Sequence, residues 1–212
     1  AVIDGINNNT DGSAGTSFGA LSQSPAAFTK LQILAPGEAA APGTASGKTG
    51  TPTARSAGNS FSVTVTAVDA YWNLVSSTHT IAITSSDPIA VLPANIALAG
   101  GTRNRTVTLR TAGTQTVTAS DVTDNTKTAA ISSLIPVTPD PANQLGIQTQ
   151  PSAAATAGVA FAQQPVVRIE DQFGNLVTTD NTTVVTATRS AGAGTLQGTL
   201  TKTAVNGLAV FA

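Results

Sequence analysis

The sequence predicts an all-β protein, and three observations support this prediction. Hydrophobic residues make up 41% of the chain, yet aromatics are only 4% and Met is absent, so Ala, Val, Leu and Ile supply most of the apolar content. Thr and Ser fill the positions between them, and β-branched residues pack well on a pleated surface. Residues 61–67 alternate apolar and polar side chains with a period of two, as a strand with one buried face does. Helical runs with a period near 3.6 are missing, and 19 Gly and 11 Pro punctuate the apolar stretches.

The charge balance excludes several classes of function. Charged residues are 10% of the chain and the net charge is −1, whereas a nucleic-acid-binding protein needs a basic face to neutralise phosphates. The absence of Cys excludes disulfides, cysteine-based zinc clusters and cysteine nucleophiles. No apolar run approaches the length of a membrane span. We therefore expect no nucleic-acid partner and no membrane span, and this composition favours an extracellular or bacterial cell-surface location.

An internal repeat gives the domain organisation. Residues 28–36 resemble residues 143–151, and each copy continues to an Ala-Gly pair and then to an Asp-containing turn, 69–75 in the first copy and 171–177 in the second. A proline-containing linker separates the copies. The repeat predicts an N-terminal segment of residues 1–27, a first module of residues 28–138 and a second module of residues 143–212.

The first module reads as about seven short strands, the number that is typical of an immunoglobulin-like β-sandwich. The alternation predicts that its core contains Val63, Val65, Ile81, Ile83, Val107, Leu109 and Val117. Residues 36–53, rich in Gly, Ala, Pro and Thr, are expected to form a long loop. The predicted fold is thus two tandem immunoglobulin-like sandwiches, the second incomplete, preceded by an N-terminal strand segment.

The second module begins like the first, but the sequence after its fifth expected strand is too short for the last one or two strands. Its strands are expected at 145–149, 166–170, 183–188, 195–201 and 207–212. The N-terminal segment has strand-like stretches without a domain of its own, and its expected assembly residues are Ala1, Val2, Ile3, Phe18 and Leu21. One interpretation is that this segment completes the second module of a neighbouring chain, which would give a head-to-tail homopolymer. The other is that both ends are cuts through a longer tandem chain.

The turn motif resembles that of the bacterial immunoglobulin-like repeats of adhesins and surface proteins, the invasin and intimin group. It reads Asp-x-x-Gly-Asn-x-Val over residues 171–177, and residues 69–75 repeat it with Trp72 in place of the Gly. Because of that replacement, we expect a differently shaped turn in the first module. The resemblance implies stalks, fibres, surface layers or adhesive arrays of neighbouring immunoglobulin-like modules, without a catalytic site.

The motif residues Asp69, Asn73, Asp171, Gly174 and Asn175 are interpreted as turn formers. An Asp side chain caps a turn, and Asn tolerates the left-handed backbone that we expect at Asn73 and Asn175. A Ca²⁺ site at Asp69 and Asp171 is the alternative, although each turn supplies too few carboxylates for a full coordination shell. We otherwise predict no cofactor.

No constellation of catalytic residues is found, so the chain is predicted not to be an enzyme. His79 is the only histidine and is expected to face solvent. The Gly47-Lys48-Thr49 segment lacks the spacing and the flanking strand and helix of a phosphate-binding loop. Asp121, Asp124 and Asn125 are expected to form a hairpin turn.

Tyr71 and Trp72 support a second hypothesis of function. Exposed aromatic rings on a β-sandwich can stack on sugar rings, so the chain could be an accessory carbohydrate-binding or adhesive module of a secreted enzyme or adhesin. The first hypothesis is a structural surface protein, a subunit or segment of a fibre, stalk or layer that is assembled end to end by β-strand complementation.

Overall fold

The computed structural model describes residues 24–191 and 193–211, and all the regular structure in these residues is β-strand. This confirms the predicted all-β class. The assembly residues Ala1, Val2, Ile3, Phe18 and Leu21 lie outside the described residues. Among the residues described, no helix is long and apolar enough to span a membrane.

Twelve strands lie within the first module, and the alternation in the sequence predicted the long ones. The short ones, of two or three residues, lie at the ends of loops where no periodicity can develop. The strands are β1 (Lys30–Leu34), β2 (Glu38–Ala40), β3 (Lys48–Gly50), β4 (Arg55–Ser56), β5 (Ser60–Val68), β6 (Thr80–Ser85), β7 (Ile96–Ala97), β8 (Thr102–Thr108), β9 (Gly113–Gln115), β10 (Val117–Asp121), β11 (Ala130–Ile131) and β12 (Ile135–Thr138).

Ten of the twelve strands of the first module form three small sheets around one core, and β2 and β3 form a separate pair. The sheet orders are β1-β5-β8, β11-β10-β6-β7 and β4-β12-β9. All neighbouring pairs are antiparallel except β4 and β12. The alternating inward side chains of β5 belong to one buried cluster with side chains of β6, β8, β10 and β12. Every residue of the predicted core set is buried, which confirms the strand register read from the sequence.

The insertion of residues 36–53 is not the long loop that we expected. It contains a two-stranded antiparallel hairpin in which β2 pairs with β3. The Glu38 carboxylate anchors this hairpin, because it lies 2.8 Å from Lys48 Nζ and accepts hydrogen bonds from Ala35 N and Ser133 Oγ. The Gly, Ala and Thr composition carried no alternation from which so short a pair of strands could be predicted.

Five further strands lie in the second module: β13 (Gln144–Thr149), β14 (Val166–Glu170), β15 (Val184–Thr186), β16 (Thr201–Thr203) and β17 (Leu208–Val210). They form one sheet of order β13-β14-β17 and a pair, β15-β16. A small core of Ile169, Val185, Ala204, Ala209 and Phe211 lies between them. The strand that we predicted at residues 195–201 lies later, because the pairing with β15 begins at Thr201.

The pairing registers align the two modules residue by residue. Lys30 pairs with Val68 at the end of β5, and Gln144 pairs with Glu170 at the end of β14. The same alignment places β15 on β6, β16 on β7 and β17 on β8, because each of these pairs has the same partners. The described strands of the second module thus repeat β1, β5, β6, β7 and β8 of the first module, without strands equivalent to β2, β3 and β4.

Truncation of a large core side chain tests this register. Ile81→Ala and Leu109→Ala are each expected to lower the free energy of unfolding by about 2–4 kcal/mol, because both side chains are buried and leave cavities. Ser62→Ala, on the exposed face of β5, is the control and should change it by less than about 0.5 kcal/mol. Urea unfolding curves provide the measurement. Equal effects at all three positions would show that the inward face has been assigned to the wrong residues.

Candidate functional site

The most elaborate polar site is the turn that follows β14 in the second module. Asp171 is buried, and its Oδ1 accepts hydrogen bonds from the backbone N–H groups of Phe173 (2.8 Å) and Asn175 (2.9 Å). Its Oδ2 accepts from Asn175 Nδ2 (2.8 Å) and from the backbone N–H of Asp140 in the linker (3.0 Å). One carboxylate therefore closes the turn and also fixes the path by which the chain enters the module.

The turn after β5 in the first module repeats this geometry. Asp69 Oδ1 accepts from the backbone N–H groups of Tyr71 (2.8 Å) and Asn73 (2.9 Å). Its Oδ2 accepts from Asn73 Nδ2 (2.9 Å) and from Ala26 N (2.9 Å). Ala26 precedes the first strand by four residues, as Asp140 does in the second module. The chain thus enters both modules along the same hydrogen-bonded path.

Hydrogen bonding sets the ionisation of both carboxylates. Burial raises the pKa of Asp69, but the hydrogen bonds from Asn73, Ala26 and Tyr71 favour the charged form and bring the pKa to about 2. The same balance holds the pKa of Asp171 below its ordinary value, with Asn175 and Asp140 among the donors. Both groups are therefore charged at neutral pH.

The backbone of the two turns corrects two expectations. The left-handed residue is Trp72 (φ 72°) in the first turn and Gly174 (φ 84°) in the second, so both turns have the same shape despite the replacement. Asn73 and Asn175 do not have positive φ, so the prediction of a left-handed Asn is wrong. Their amide groups, rather than their backbone freedom, explain why Asn stands there.

The hydrogen-bond donors around Asp69 and Asp171 bear on the Ca²⁺ alternative. Each carboxylate already accepts four N–H groups, whose positive ends point where a cation would lie. Among the described residues, no three His, Asp or Glu side chains gather as a group that could hold a metal ion. Asp69 and Asp171 thus make the hydrogen bonds that are expected of turn-forming residues.

The Asn175 side chain extends beyond its own turn and contacts the first module. Its Oδ1 accepts a hydrogen bond from Ala112 N (2.8 Å), and its Nδ2 donates to Arg110 O (2.7 Å) as well as to Asp171. An amide can both donate and accept, so the Asn175 side chain binds an N–H group and a C=O group of the 110–112 loop at the same time. Asn175 thereby joins the two modules.

Phe173 supplies the apolar half of this contact. Its ring packs over Gly58 of the first module so closely that a Cβ at Gly58 would lie 2.6 Å from ring atoms. The Arg110 guanidinium lies 5.3 Å from the ring centroid, within the range of a cation–π interaction. We name the contacts of Phe173 and Asn175 with Gly58, Arg110 and Ala112 the intermodule joint.

A second buried carboxylate supports the first-module side of the joint. Asp87 accepts hydrogen bonds from the backbone N–H groups of Arg110 and Thr111 and from Thr111 Oγ1. Burial raises the pKa of Asp87, but hydrogen bonds from Thr111, Arg110 and Ile89 outweigh this effect and hold the pKa below its ordinary value. Asp87 thus fixes the loop whose backbone groups Asn175 recognises.

The two aromatic residues singled out in the first turn have different environments. Tyr71 is 68% exposed. Trp72 is half-buried, with Lys30 Nζ 3.4 Å from its ring centroid and the backbone of Gly47 against the ring. Trp72 therefore packs within its own module, and Tyr71 is the ring of this turn that is presented to solvent. A role for either ring in ligand or partner contact stays a prediction.

His79 differs from the expectation of a solvent-facing imidazole. Its Nδ1 lies 2.7 Å from Asp121 Oδ2, and its ring meets Phe28 edge-on at 5.3 Å. Asp121 Oδ1 in turn accepts from the backbone N–H groups of Thr123 and Asp124, which forms the turn that we predicted there. The pair ties β6 to the end of β10.

The sequence did not reveal the first-module residues of the joint. Gly58, Asp87, Arg110 and Ala112 come together only through the fold, since the bonds of Asn175 span 63 and 65 residues. One signal was available, because Ala-Gly-x-x-Phe occurs at residues 57–61 and again at residues 157–161.

Comparison with known proteins gives distant matches. No family model matches the chain, and no curated protein matches it. Among solved structures, the chain is similar to domains 4–9 of the surface layer protein SbsC (16% identity, 89% of this chain, 27% of that chain, TM-score 0.36). It is also similar to a longer piece of the same S-layer protein (20% identity, 76% of this chain, 21% of that chain, TM-score 0.33). The chain thus spans about a quarter of these structures, and the TM-scores and identities are too low to establish a common fold or function.

Replacement of Asn175 tests the joint. Asn175→Ala is expected to lower the free energy of unfolding by about 1–3 kcal/mol more than the matched Asn73→Ala, because it removes two additional bonds to the 110–112 loop. Urea unfolding, followed by amide signals of each module at concentrations where light scattering shows a monomer, provides the measurement. Equal losses for the two variants would mean that the bonds to Arg110 and Ala112 contribute nothing in solution.

The decline of the free energy of unfolding at acid pH tests the role of the Asp69 carboxylate. Its folded-state pKa of about 2 lies below the ordinary value of 3.8, so the stability it contributes is present above the ordinary value and is lost as the pH falls through about 2. Asp69→Asn is expected to lower stability at neutral pH and to flatten its decline between about pH 4 and pH 2. Urea unfolding at stepped pH provides the measurement, and an unchanged decline would contradict this assignment.

Proposed function

We propose that the chain is a structural element of a bacterial surface fibre, stalk or layer whose immunoglobulin-like modules are joined end to end. In this proposal the second module is completed by β-strand addition from the N-terminal segment of another copy. In this role the protein extends and assembles the fibre, stalk or layer at the cell surface. The resulting contact is heterologous, so it propagates into an open array.

The observation that carries this proposal is an open apolar groove in the second module. The groove has a volume of about 530 Å³, and residues from 155–165 and 195–200, with Ala187 and Phe211, line it. A groove that exposes the core of a sandwich costs hydrophobic free energy, and a segment that fills it would recover that energy.

The first module indicates what would fill the groove. Ala187 stands where Ile83 stands in β6, and Ile83 pairs with Ala119 of β10. Val117 and Ala119 of β10, with Ile135 and Val137 of β12, complete the first-module core on that side. The described strands of the second module repeat β1 and β5 to β8, so strands equivalent to β10 and β12 are the elements that would fill the groove.

The edge of β15 supports the same conclusion. In the first module, β6 lies between β10 and β7, but within the described residues the corresponding β15 pairs with β16 alone. An open edge carries unpaired backbone N–H and C=O groups, which is the template that strand addition uses.

The N-terminal segment has a sequence that suits this role. Alignment of Ala26 with Asp140, whose N–H groups bind equivalent carboxylates, puts Pro25 on Pro139 and Leu21 on Ile135. Ile135 is a buried residue of β12. By this alignment, the residues that lead into the first module correspond to the closing strand of a sandwich.

Deletion and add-back test the proposal. A chain without residues 1–24 is expected to be monomeric, with a second module that unfolds at lower denaturant, because its groove has lost the added strand. A peptide of residues 1–24 should restore that stability, and the same peptide with Leu21→Asp is the matched control that should not. The first-module signals should be unchanged throughout. Light scattering and urea unfolding of the full and deleted chains provide the measurements.

The mass of the native protomer separates this proposal from its rival. A protomer whose sequence ends within the second module supports donation of a strand between chains. A native chain that continues through strands equivalent to β10 and β12 would complete the module covalently and would contradict donation.

A further inference from the structure

We propose that the Tyr71 turn is the second half of a joint between copies. In this joint Tyr71 and Asn73 of one copy pack on the Gly158 corner of the second module of another copy. The contact would reproduce the intermodule joint, with Tyr71 in the place of Phe173 and Asn73 in the place of Asn175. This inference rests on the proposed function, because it requires copies arranged end to end.

The two turns match in every feature that positions the joint. The Asp carboxylates accept the same four donors, and the residue after each ring has the same left-handed backbone. Tyr71 and Asn73 therefore project from their turn as Phe173 and Asn175 do from theirs. The linker hydrogen bond is also preserved, so a module that precedes Ala26 would be delivered to the Tyr71 turn.

The two turns differ in whether another module packs against them within the described residues. The Asn175 side chain makes two hydrogen bonds to the 110–112 loop, whereas the Asn73 side chain has only its bond to Asp69 among the described residues. Phe173 is half-buried on Gly58, whereas Tyr71 is 68% exposed. The first module thus presents a preformed joint surface that has no partner surface among the residues the structure describes.

The second module carries the surface that such a turn would meet. Residues 157–161 repeat the Ala-Gly-x-x-Phe of residues 57–61, and Gly158 (φ 78°) matches Gly58 (φ 82°) in its left-handed backbone. Phe173 covers Gly58, but a Cβ at Gly158 would meet nothing within 4 Å. Val159, next to it, is 65% exposed. Within the described residues, the first module therefore presents a ring and the second module an uncovered glycine corner.

Strand addition and the joint require the same neighbour. If the N-terminal segment of one copy closes the second module of another, that module precedes Ala26 as the first module precedes Asp140. The linker bond to Asp69 then brings its Gly158 corner against Tyr71. The partner is a second copy of this chain, and the contact involves its second module.

Cysteine cross-linking of the full chain tests the joint, since the chain has no natural Cys. Ala70→Cys, next to Tyr71 and exposed, is combined with Val159→Cys so that the ring itself is kept. Treated with a short bismaleimide, this variant is expected to give a ladder of covalent species between chains. Gln172→Cys with Asn59→Cys is the matched control, because these exposed positions are next to Phe173 and Gly58 of the existing joint and should link within one chain. Association of the uncross-linked wild type is measured in parallel by light scattering.

The outcomes separate the joint from strand addition. A ladder, together with loss of association by about tenfold or more in Tyr71→Ala/Asn73→Ala and its retention in Tyr71→Phe, supports the joint. Control links without a ladder, in a wild type that still associates, would overturn the joint and leave strand addition standing. A wild type that does not associate would overturn both. Binding to a glycan array that Tyr71→Ala abolishes, without a ladder, would assign Tyr71 to sugar binding instead.

Discussion

A buried aspartate carboxylate at the start of each turn is the interaction on which the rest of this structure depends. Asp69 and Asp171 each accept four N–H groups, two from the turn backbone, one from the Asn side chain and one from the linker. These donors would be costly to leave without partners, and the chain has few other charged acceptors to offer them. Charged residues are 10% of the sequence, and Asp87 and Asp121 also serve as buried acceptors for loop backbone. The carboxylates therefore satisfy backbone N–H groups of the loops, as the hydrogen-bonded ladders satisfy those of the strands.

The parts of the fold that were predictable from sequence are those that local periodicity determines. The alternation along β5 identified which side chains of the first module are buried, because one face of that strand packs on the core and the other is accessible to solvent. The turn residues were also identified, because an Asp side chain at the start of such a turn accepts hydrogen bonds from the backbone that follows it. The β2–β3 hairpin was missed, since a stretch of Gly, Ala and Thr has no strong pattern, and Glu38 holds it through contacts that include Ser133, far along the chain.

The joint lies beyond sequence reasoning for a different physical reason. Asn was interpreted through its backbone tolerance, but Trp72 and Gly174 take the left-handed position, which leaves the Asn amides for hydrogen bonding. The partners of Asn175 are backbone groups of the 110–112 loop, and a backbone N–H or C=O has no signature in the sequence. Only the aromatic ring and the glycine beneath it have a signature in the sequence. The signature is a Tyr or Phe in each turn and an Ala-Gly pair in each module. A repeat within one chain thus supplies the comparison that homologous sequences would otherwise supply.

The chemistry of the joint also determines how an array built from it would behave. The Asn amide binds main-chain groups and the aromatic ring covers a glycine, so most of the contact depends on shape and hydrogen bonding, with Arg110 as its one cation. Contacts of this kind are screened little by salt, in contrast to an interface built from surface ion pairs. The two surfaces are different from each other, since one presents a ring and the other a glycine corner, so neither can pair with itself to close a twofold dimer. Successive copies can then add in one direction only, which is the condition for a polar array whose repeat is set by the length of the modules.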